Sequence, residues 1–360
     1  MRGLAISLFF SFAFSLGCGA ADDGDDPGAC DPNIEPCVIQ ALVSTVDVAA
    51  GEEDEDTCQS WTLNNPTELW VTSITQTNGG AYHHANWFFV PDDQFELPDG
   101  TWRCSEQNFS ELGAAIMGGF LFALSTQSAE ETQSIPAGGA IRIPPYSRII
   151  GASHILNASD QPVTTDMNVA IHTVPAEDVA AKMVPARISY HDLTLDPLSD
   201  SSFTTECIID DVYQTMMGEP MELELYYALS HYHALGTYSQ LEIAGGPRDG
   251  EIIFRFDGFG ENFGIGFEEP LDLAAAGARG VRYTCGFSNP RNEVVGWGIG
   301  DQEMCVLALQ MRTNMAWDGD VATGTGEFIG MAQDGEMQYQ GPCSLFGIPW
   351  NHNKPGGPER

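Results

Sequence analysis

Basic residues are scarce in this chain. There are 14 against 51 acidic ones in 360 residues, and lysine occurs only at Lys182 and Lys354. The formal charge of −37 repels phosphate, which argues against nucleic acid or an anionic membrane surface as a partner. Long apolar runs are missing as well. Leu4–Leu16 and Leu112–Leu124 are both too short to span a bilayer, and glycine interrupts the second. No Cys-x-x-Cys occurs, which disfavours a thiol zinc knuckle or a thioredoxin-like site. No segment holds a helical period for three turns; Ala176–Met183 and Leu271–Ala278 each suggest a turn or two. What is present is 43% hydrophobic and 10% aromatic, enough for packed cores and against a wholly disordered chain. The length suggests two domains of ordinary size.

Residues 1–20 read as an export signal, with Arg2 ahead of the apolar Leu4–Leu16 stretch and small residues at Gly17, Gly19 and Ala20. Ser15-Leu16-Gly17-Cys18 resembles a bacterial lipobox, so two endings are open: a lipid on Cys18, or plain cleavage near Ala20. Either way the chain is expected to be exported, as a cell-envelope lipoprotein or a secreted protein. Its only membrane contact would be a lipid anchor. Residues 21–57 carry twelve acidic residues and no basic one, and read as a solvated acidic tether; regular calcium-loop spacing is missing. Setting Cys18 aside leaves eight cysteines, an even set that suggests four disulfides in an exported chain.

Beyond residue 57 the pattern is β throughout. Short alternating or apolar runs fall at Trp70–Gln76, Trp87–Val90, Phe120–Ser125, Arg148–Asn157, Asn168–Val174, Glu222–Ser230, Glu251–Phe256, Val281–Phe287 and Cys305–Gln310, punctuated by Gly, Pro, Asn and Asp. The expected fold is all-β, two antiparallel jelly-roll-like β-sandwich domains in tandem. Pro175–Pro185 reads as the linker, giving an N-terminal domain over 58–178, a C-terminal domain over 187–345 and a tail over 346–360.

The histidines carry the chemical signal. His231 and His233 flank Tyr232, and on a strand residues i and i+2 share a face about 6.5–7 Å apart, so both imidazoles can reach one ion. His83 and His84 are adjacent, so they can converge only at a bend, and Gly79-Gly80 just before them allows one. His154 sits in a strand pattern that ends at Asn157. Met304 precedes Cys305, and on a strand these two side chains point oppositely, which would let the cysteine pair with Cys285 behind while the thioether faces a metal.

Taken in order, these pieces resemble the type II copper, ascorbate-dependent monooxygenases, the group containing peptidylglycine alpha-hydroxylating monooxygenase and dopamine beta-monooxygenase. The similarity rests on His83-His84, on His154 followed by Asn157, on His231-Tyr232-His233-Ala234-Leu235-Gly236 and on Gly300-Asp301-Gln302-Glu303-Met304-Cys305. It covers roughly residues 58–345. The resemblance implies two copper ions per chain. His83, His84 and His154 would hold an electron-storing copper on the first domain; His231, His233 and Met304 would hold the oxygen-activating copper on the second. A thioether is a soft donor suited to Cu(I) and poorly suited to zinc, calcium or magnesium. Cysteines bracketing these motifs imply Cys58–Cys104 and Cys285–Cys305, with Cys207–Cys343 tying the second domain's ends and Cys30–Cys37 closing a small loop.

The implied activity is hydroxylation of a C–H bond by O2, with ascorbate or a similar one-electron donor as reductant. Two departures bear on the substrate, an unidentified small molecule or peptide. Peptidylglycine enzymes have an arginine two positions before His-x-His, where this chain has Leu229; relatives have a tyrosine four positions after the methionine, where this chain has Ala308. Both changes remove polar groups, so a less polar substrate is expected, or a cationic one given the acidic protein. His172, His191 and His352 match no implied ligand and read as structural or surface residues. The rival from another class is a non-catalytic copper-binding envelope protein that sequesters or delivers metal.

Overall fold

The computed structural model describes residues 30–93, 98–124, 128–260, 264–298 and 300–351. The expected signal and the lipobox cysteine lie outside them, as do His352 and most of the expected tail. Residues from Asp31 onward fall in one compact unit. Each of the nine runs singled out from the sequence overlaps a strand, and the described chain is all-β.

Four large sheets form two sandwiches. In the first, a six-stranded sheet is built on Cys37–Val48, Val163–Val174 and Leu69–Asn78. It faces a five-stranded sheet ordered Gly100–Arg103, Glu53–Thr62, Ser147–Leu156, Tyr82–Pro91, Gly119–Ala123. Alternate residues from both sheets close on one core, including Val71, Ile74, Val169 and Ile171 from one side and Tyr82, Trp87, Leu121 and Ile149 from the other. Trp87 is fully buried, and its indole N–H donates to Gln76 Oε1 at 2.8 Å, joining the two layers.

The second sandwich places a six-stranded sheet ordered Gly264–Asp272, Glu224–His231, Val306–Arg312, Val184–Tyr190, Met315–Val321, Ser344–Pro349 against one centred on Ser199–Cys207 and Gly280–Asn289. Its core is separate and includes Ile188, Phe203, Leu241, Tyr283 and Leu307. Among the strands of the described residues, the pairings are antiparallel except at three places: Ala181–Lys182 with Gly139–Ile143, Val184–Tyr190 with Met315–Val321, and Ser199–Cys207 with Met337–Pro342. The last two join strands from opposite ends of the domain, where long connections permit parallel pairing.

The tether expectation needs correction over its second half. Cys37–Val48 is a strand paired along Val163–Val174, and Glu53–Thr62 pairs with Ser147–Leu156. Charge density concealed them: the acidic Glu52–Asp56 block opens a strand whose later residues, Cys58, Gln59 and Ser60, are buried. The likewise expected tail supplies the end of Ser344–Pro349, an edge strand of the second sandwich. Two short helices, Glu111–Met117 and Ile209–Met217, carry too few turns to show a period in sequence. The first begins at Ser110, whose side chain accepts from the Gly113 N–H. Ala176–Met183 holds a 3-10 turn, Ala176–Asp178, followed by the short strand Ala181–Lys182.

Disulfides join Cys58 to Cys104, Cys207 to Cys343 and Cys285 to Cys305, as the resemblance implied. Cys30 and Cys37 are disulfide-bonded too, which makes four bridges. Such bridges persist in oxidising compartments outside the cytoplasm. No helix among the described residues is long and apolar enough to cross a membrane.

The sandwiches meet along one sheet face. Tyr226, from the second, packs into the first sandwich's core, and a Cβ on Gly139 would lie 2.9 Å from its ring. A Cβ on Gly266 would likewise lie 2.9 Å from Pro136. These glycines permit close approach of the two bodies.

Candidate metal centre

His83 and His84 sit where the Tyr82–Pro91 strand loses register with its neighbour. Tyr82 pairs with Ile155 and His84 with His154, so two steps on one strand match one on the other. His83 is the extra residue of this bulge. A bulge re-aims a side chain that regular alternation would send to the opposite face, so the adjacent imidazoles end 4.3 Å apart between centroids. The bend expected from sequence is this bulge. His154 lies cross-strand, 5.1 Å from the His83 ring and 5.6 Å from the His84 ring.

His231 ends the Glu224–His231 strand and His233 follows in the turn, their rings 5.3 Å apart. That turn is tight because the Tyr232 ring occupies the space a side chain on Gly236 would need, at 1.9 Å from an ideal Cβ. Tyr232 also donates its hydroxyl proton to the Gly258 carbonyl at 2.6 Å.

The two expected ligand sets meet. His84 lies 4.5 Å from His231 and 4.8 Å from His233, and His83 lies 5.5 Å from His233. Potential ligand atoms of His83, His84 and His154 fall within 4.8 Å of one another, as do those of His84, His231 and His233. Five imidazoles, from two sandwiches, form one cluster.

Hydrogen bonds select which nitrogen each ring offers. Carbonyl and carboxylate oxygens only accept, so His233 donates Nδ1–H to the Gln302 carbonyl at 2.7 Å and His154 donates Nε2–H to Glu53 Oε1 at 2.8 Å. The opposite nitrogens, His233 Nε2 and His154 Nδ1, are buried without a hydrogen-bond partner, as is His84 Nε2. Buried lone pairs left without a donor, each within a group of ligand-spaced imidazoles, fit a metal ion. Burial, reinforced by the neighbouring imidazoles, holds the His84 pKa well below its ordinary value. Burial lowers that of His233 to about 4, against the opposing effect of the Gln302 carbonyl. Both rings are therefore neutral near pH 7, the form that ligates.

Met304 is half-buried, and its neighbour Glu303 ties its segment to the histidine cluster. Glu303, 1% exposed, accepts backbone N–H bonds from His233 and Leu235 at 2.8 Å each, and a further one from Met304. Burial lifts its carboxyl pKa to about 7 against the lowering effect of those donors. One carboxylate thus holds the His233 turn to the Met304 segment, while Cys305 is anchored behind by Cys285. Imidazole nitrogens with a thioether in the adjoining segment form a donor set that suits copper better than the hard cations.

Glu53 and the roles of Glu303 and the Gln302 carbonyl went unrecognised in sequence. Glu303 stood in the quoted motif; Glu53 was one of twelve acids in residues 21–57, and nothing in a charge run marks the one that meets a histidine. The Glu53 carboxylate also reaches the second sandwich, lying 2.8 Å from where a Cβ on Gly300 would be. Removing a carboxylate that orients a ligating imidazole costs about 10–100-fold in metal affinity. Glu53→Ala is expected to show that loss in the metal-binding step that uses His154, read in competition against a chelator, with partial recovery in Glu53→Gln, which keeps an acceptor oxygen. Wild-type affinity in Glu53→Ala would remove this role.

Leu229 pairs with Ala308 and His231 with Val306, so Leu229, Ala308 and His231 share one sheet face. Leu229 and Ala308 line an apolar crevice with Ile74, Leu121 and Ile135 of the first sandwich; its cavity is about 10 Å³. Of the remaining histidines, His172 lies in the Val163–Val174 strand, and His191 bonds Asp320 and packs edge-on against Trp297 at 4.2 Å. Both read as structural.

No known family profile matches the chain, and no curated protein matches it. Solved structures are similar only loosely. The major capsid protein P2 from bacteriophage PM2 is 12% identical over 77% of this chain and 97% of its own, with a TM-score of 0.29. PNGase F, a glycosylasparaginase from Flavobacterium meningosepticum, is 7% identical over 77% and 96%, with a TM-score of 0.33. These likenesses carry no functional argument.

Proposed function

We propose that this chain is an exported copper-dependent monooxygenase that uses O2 and a one-electron reductant such as ascorbate to hydroxylate a C–H bond of a small molecule or peptide. The observation that carries the reading is the cluster of five imidazoles, neutral at His84 and His233, with partnerless nitrogens on His84, His154 and His233, and with the His233 turn tied to the Met304 segment by Glu303. Copper bound there would supply one-electron redox chemistry. The overall reaction balances as R–H, O2, two electrons and two protons giving R–OH and water. The chain's own part is to hold nitrogen lone pairs in place: Glu53 and the Gln302 carbonyl select the tautomers, and Glu303 ties the His233 turn to Met304. Leu229 and Ala308 present no charge beside His231, which supports a substrate of low polarity at the reacting end. Lipid attachment at Cys18 and release after cleavage near Ala20 are the two forms of export compatible with this reading.

The rival reading, a copper carrier, is favoured by one feature. The crevice at Leu229 and Ala308 is filled by first-sandwich side chains, and about 10 Å³ is too little for an organic substrate. Ascorbate-driven O2 uptake against a panel of candidate substrates tests the two. Substrate-dependent uptake with a hydroxylated product supports the enzyme; stoichiometric copper binding with no O2 consumption across the panel favours the carrier.

A further inference from the structure

The distances among the five imidazoles put His84 in both groups: its nearest ring is His83, at 4.3 Å, and the two rings of the second sandwich come next. His84 belongs to the first sandwich, yet its ring lies nearer to His231 and His233, at 4.5 and 4.8 Å, than to its cross-strand neighbour His154, at 5.6 Å. It is buried, its Nε2 has no hydrogen-bond partner, and one potential ligand atom from each of His84, His231 and His233 falls within a 4.8 Å span. Metal–nitrogen bonds of about 2 Å place ligand atoms within roughly 4 Å of one another, so nitrogens already within 4.8 Å need only a small inward shift to share one ion.

We infer that His84 completes a metal site with His231 and His233, so that a single ion is bound across the interface between the two sandwiches. The inference rests on the metal-binding half of the proposed function and is independent of turnover. Its ligand is a transition-metal ion of imidazole preference, copper above all. Two consequences follow. One lone pair serves one ion, so an ion on the His84 nitrogen withholds that nitrogen from the His83 and His154 group, and loading of the two halves is coupled. An ion on this triad also cross-links two bodies that are otherwise joined by packing and a linker, so metal stabilises the interface as well as the site.

The test uses the full chain and Cu(II) alone, with affinities read by chelator competition. His84→Ala is expected to weaken the tightest binding step by more than the roughly 10–100-fold typical of outer partners. His231→Ala and His233→Ala should match it, while His83→Ala and His154→Ala leave that step near the wild-type value. Combining His84→Ala with His231→Ala should add little, because both remove the same site. If His84→Ala instead behaves like His83→Ala and adds fully to His231→Ala, the shared site is wrong and the ligand sets are separate.

Hydrogen exchange gives a second reading. Copper should slow exchange in both Tyr82–Pro91 and the turn after His231 in the wild type, but only in the latter in His84→Gln, a variant of similar bulk. Protection of both segments in His84→Gln would equally overturn the assignment. A wild type that binds no copper would sink the monooxygenase reading together with this site; copper bound as inferred without O2 consumption would sink the monooxygenase alone.

Discussion

Replacing Met304 with isoleucine is expected to abolish ascorbate-dependent hydroxylation while much of the bound copper stays in place. The substitution keeps an apolar side chain of similar volume, and such swaps usually cost less than about 1.5 kcal/mol in stability. It removes the sulfur, the soft donor that the resemblance adds to His231 and His233, and leaves both imidazoles. Loss of turnover of roughly a hundredfold or more is expected, which corresponds to about 2.7 kcal/mol or more of transition-state stabilisation. The measurement is substrate-dependent O2 uptake and product formation beside metal content. His154→Ala provides the counterpart: it should damage electron supply while Met304, His231 and His233 still bind copper. A monooxygenase loses turnover in both variants, whereas a carrier loses only capacity. Unchanged hydroxylation in Met304→Ile would defeat the proposed chemistry.

Opening the Cys207–Cys343 bridge is expected to have the largest effect on stability. Its sequence separation is 136 residues, and the chain-entropy model gives about 5 kcal/mol for a loop of that size. Cys207 ends the Ser199–Cys207 strand, and Cys343 stands between Met337–Pro342 and Ser344–Pro349, which belong to opposite sheets of the second sandwich. The bridge therefore pins the point where the chain crosses between layers. It packs on Gly319, where a Cβ would lie 2.8 Å from the Cys343 sulfur and 3.0 Å from that of Cys207. The Cys207→Ser, Cys343→Ser double variant should unfold at a midpoint lower by on the order of 10–20 °C. Thermal unfolding followed by circular dichroism checks this, and a midpoint within about 2 °C of the wild type would contradict it.

Much of the β architecture was legible because alternation is local. Trp87–Val90, Arg148–Asn157 and Glu222–Ser230 announced their strands through runs of apolar, β-branched and aromatic residues, and period-2 burial needs no distant partner to be read. The strand opening at Glu53 was not legible. Its first residues are charged and exposed, and only pairing with Ser147–Leu156 makes them part of a sheet. The short helices were hidden for a related reason, since seven or nine residues hold too little of the helical period to stand out.

The expected ligand residues divide in the same way. His83, His84, His154, His231, His233 and Met304 were named from their motifs, because residue type and order along the chain are properties of the sequence itself. That His84 sits within ring contact of His231 was not, since it depends on how two sandwiches pack across Gly139 and Gly266. Nor could the chain's order say which nitrogen of His154 or His233 is offered, because Glu53 and the Gln302 carbonyl select it from far away in sequence. By itself the sequence determined the donor chemistry, the all-β pattern and the even cysteine set, all of which are written in residue identity and short-range spacing. Tertiary structure alone decided the joining of two ligand sets into one cluster and the choice of tautomer. Both arise from contacts between segments many residues apart, and no local pattern encodes a distance.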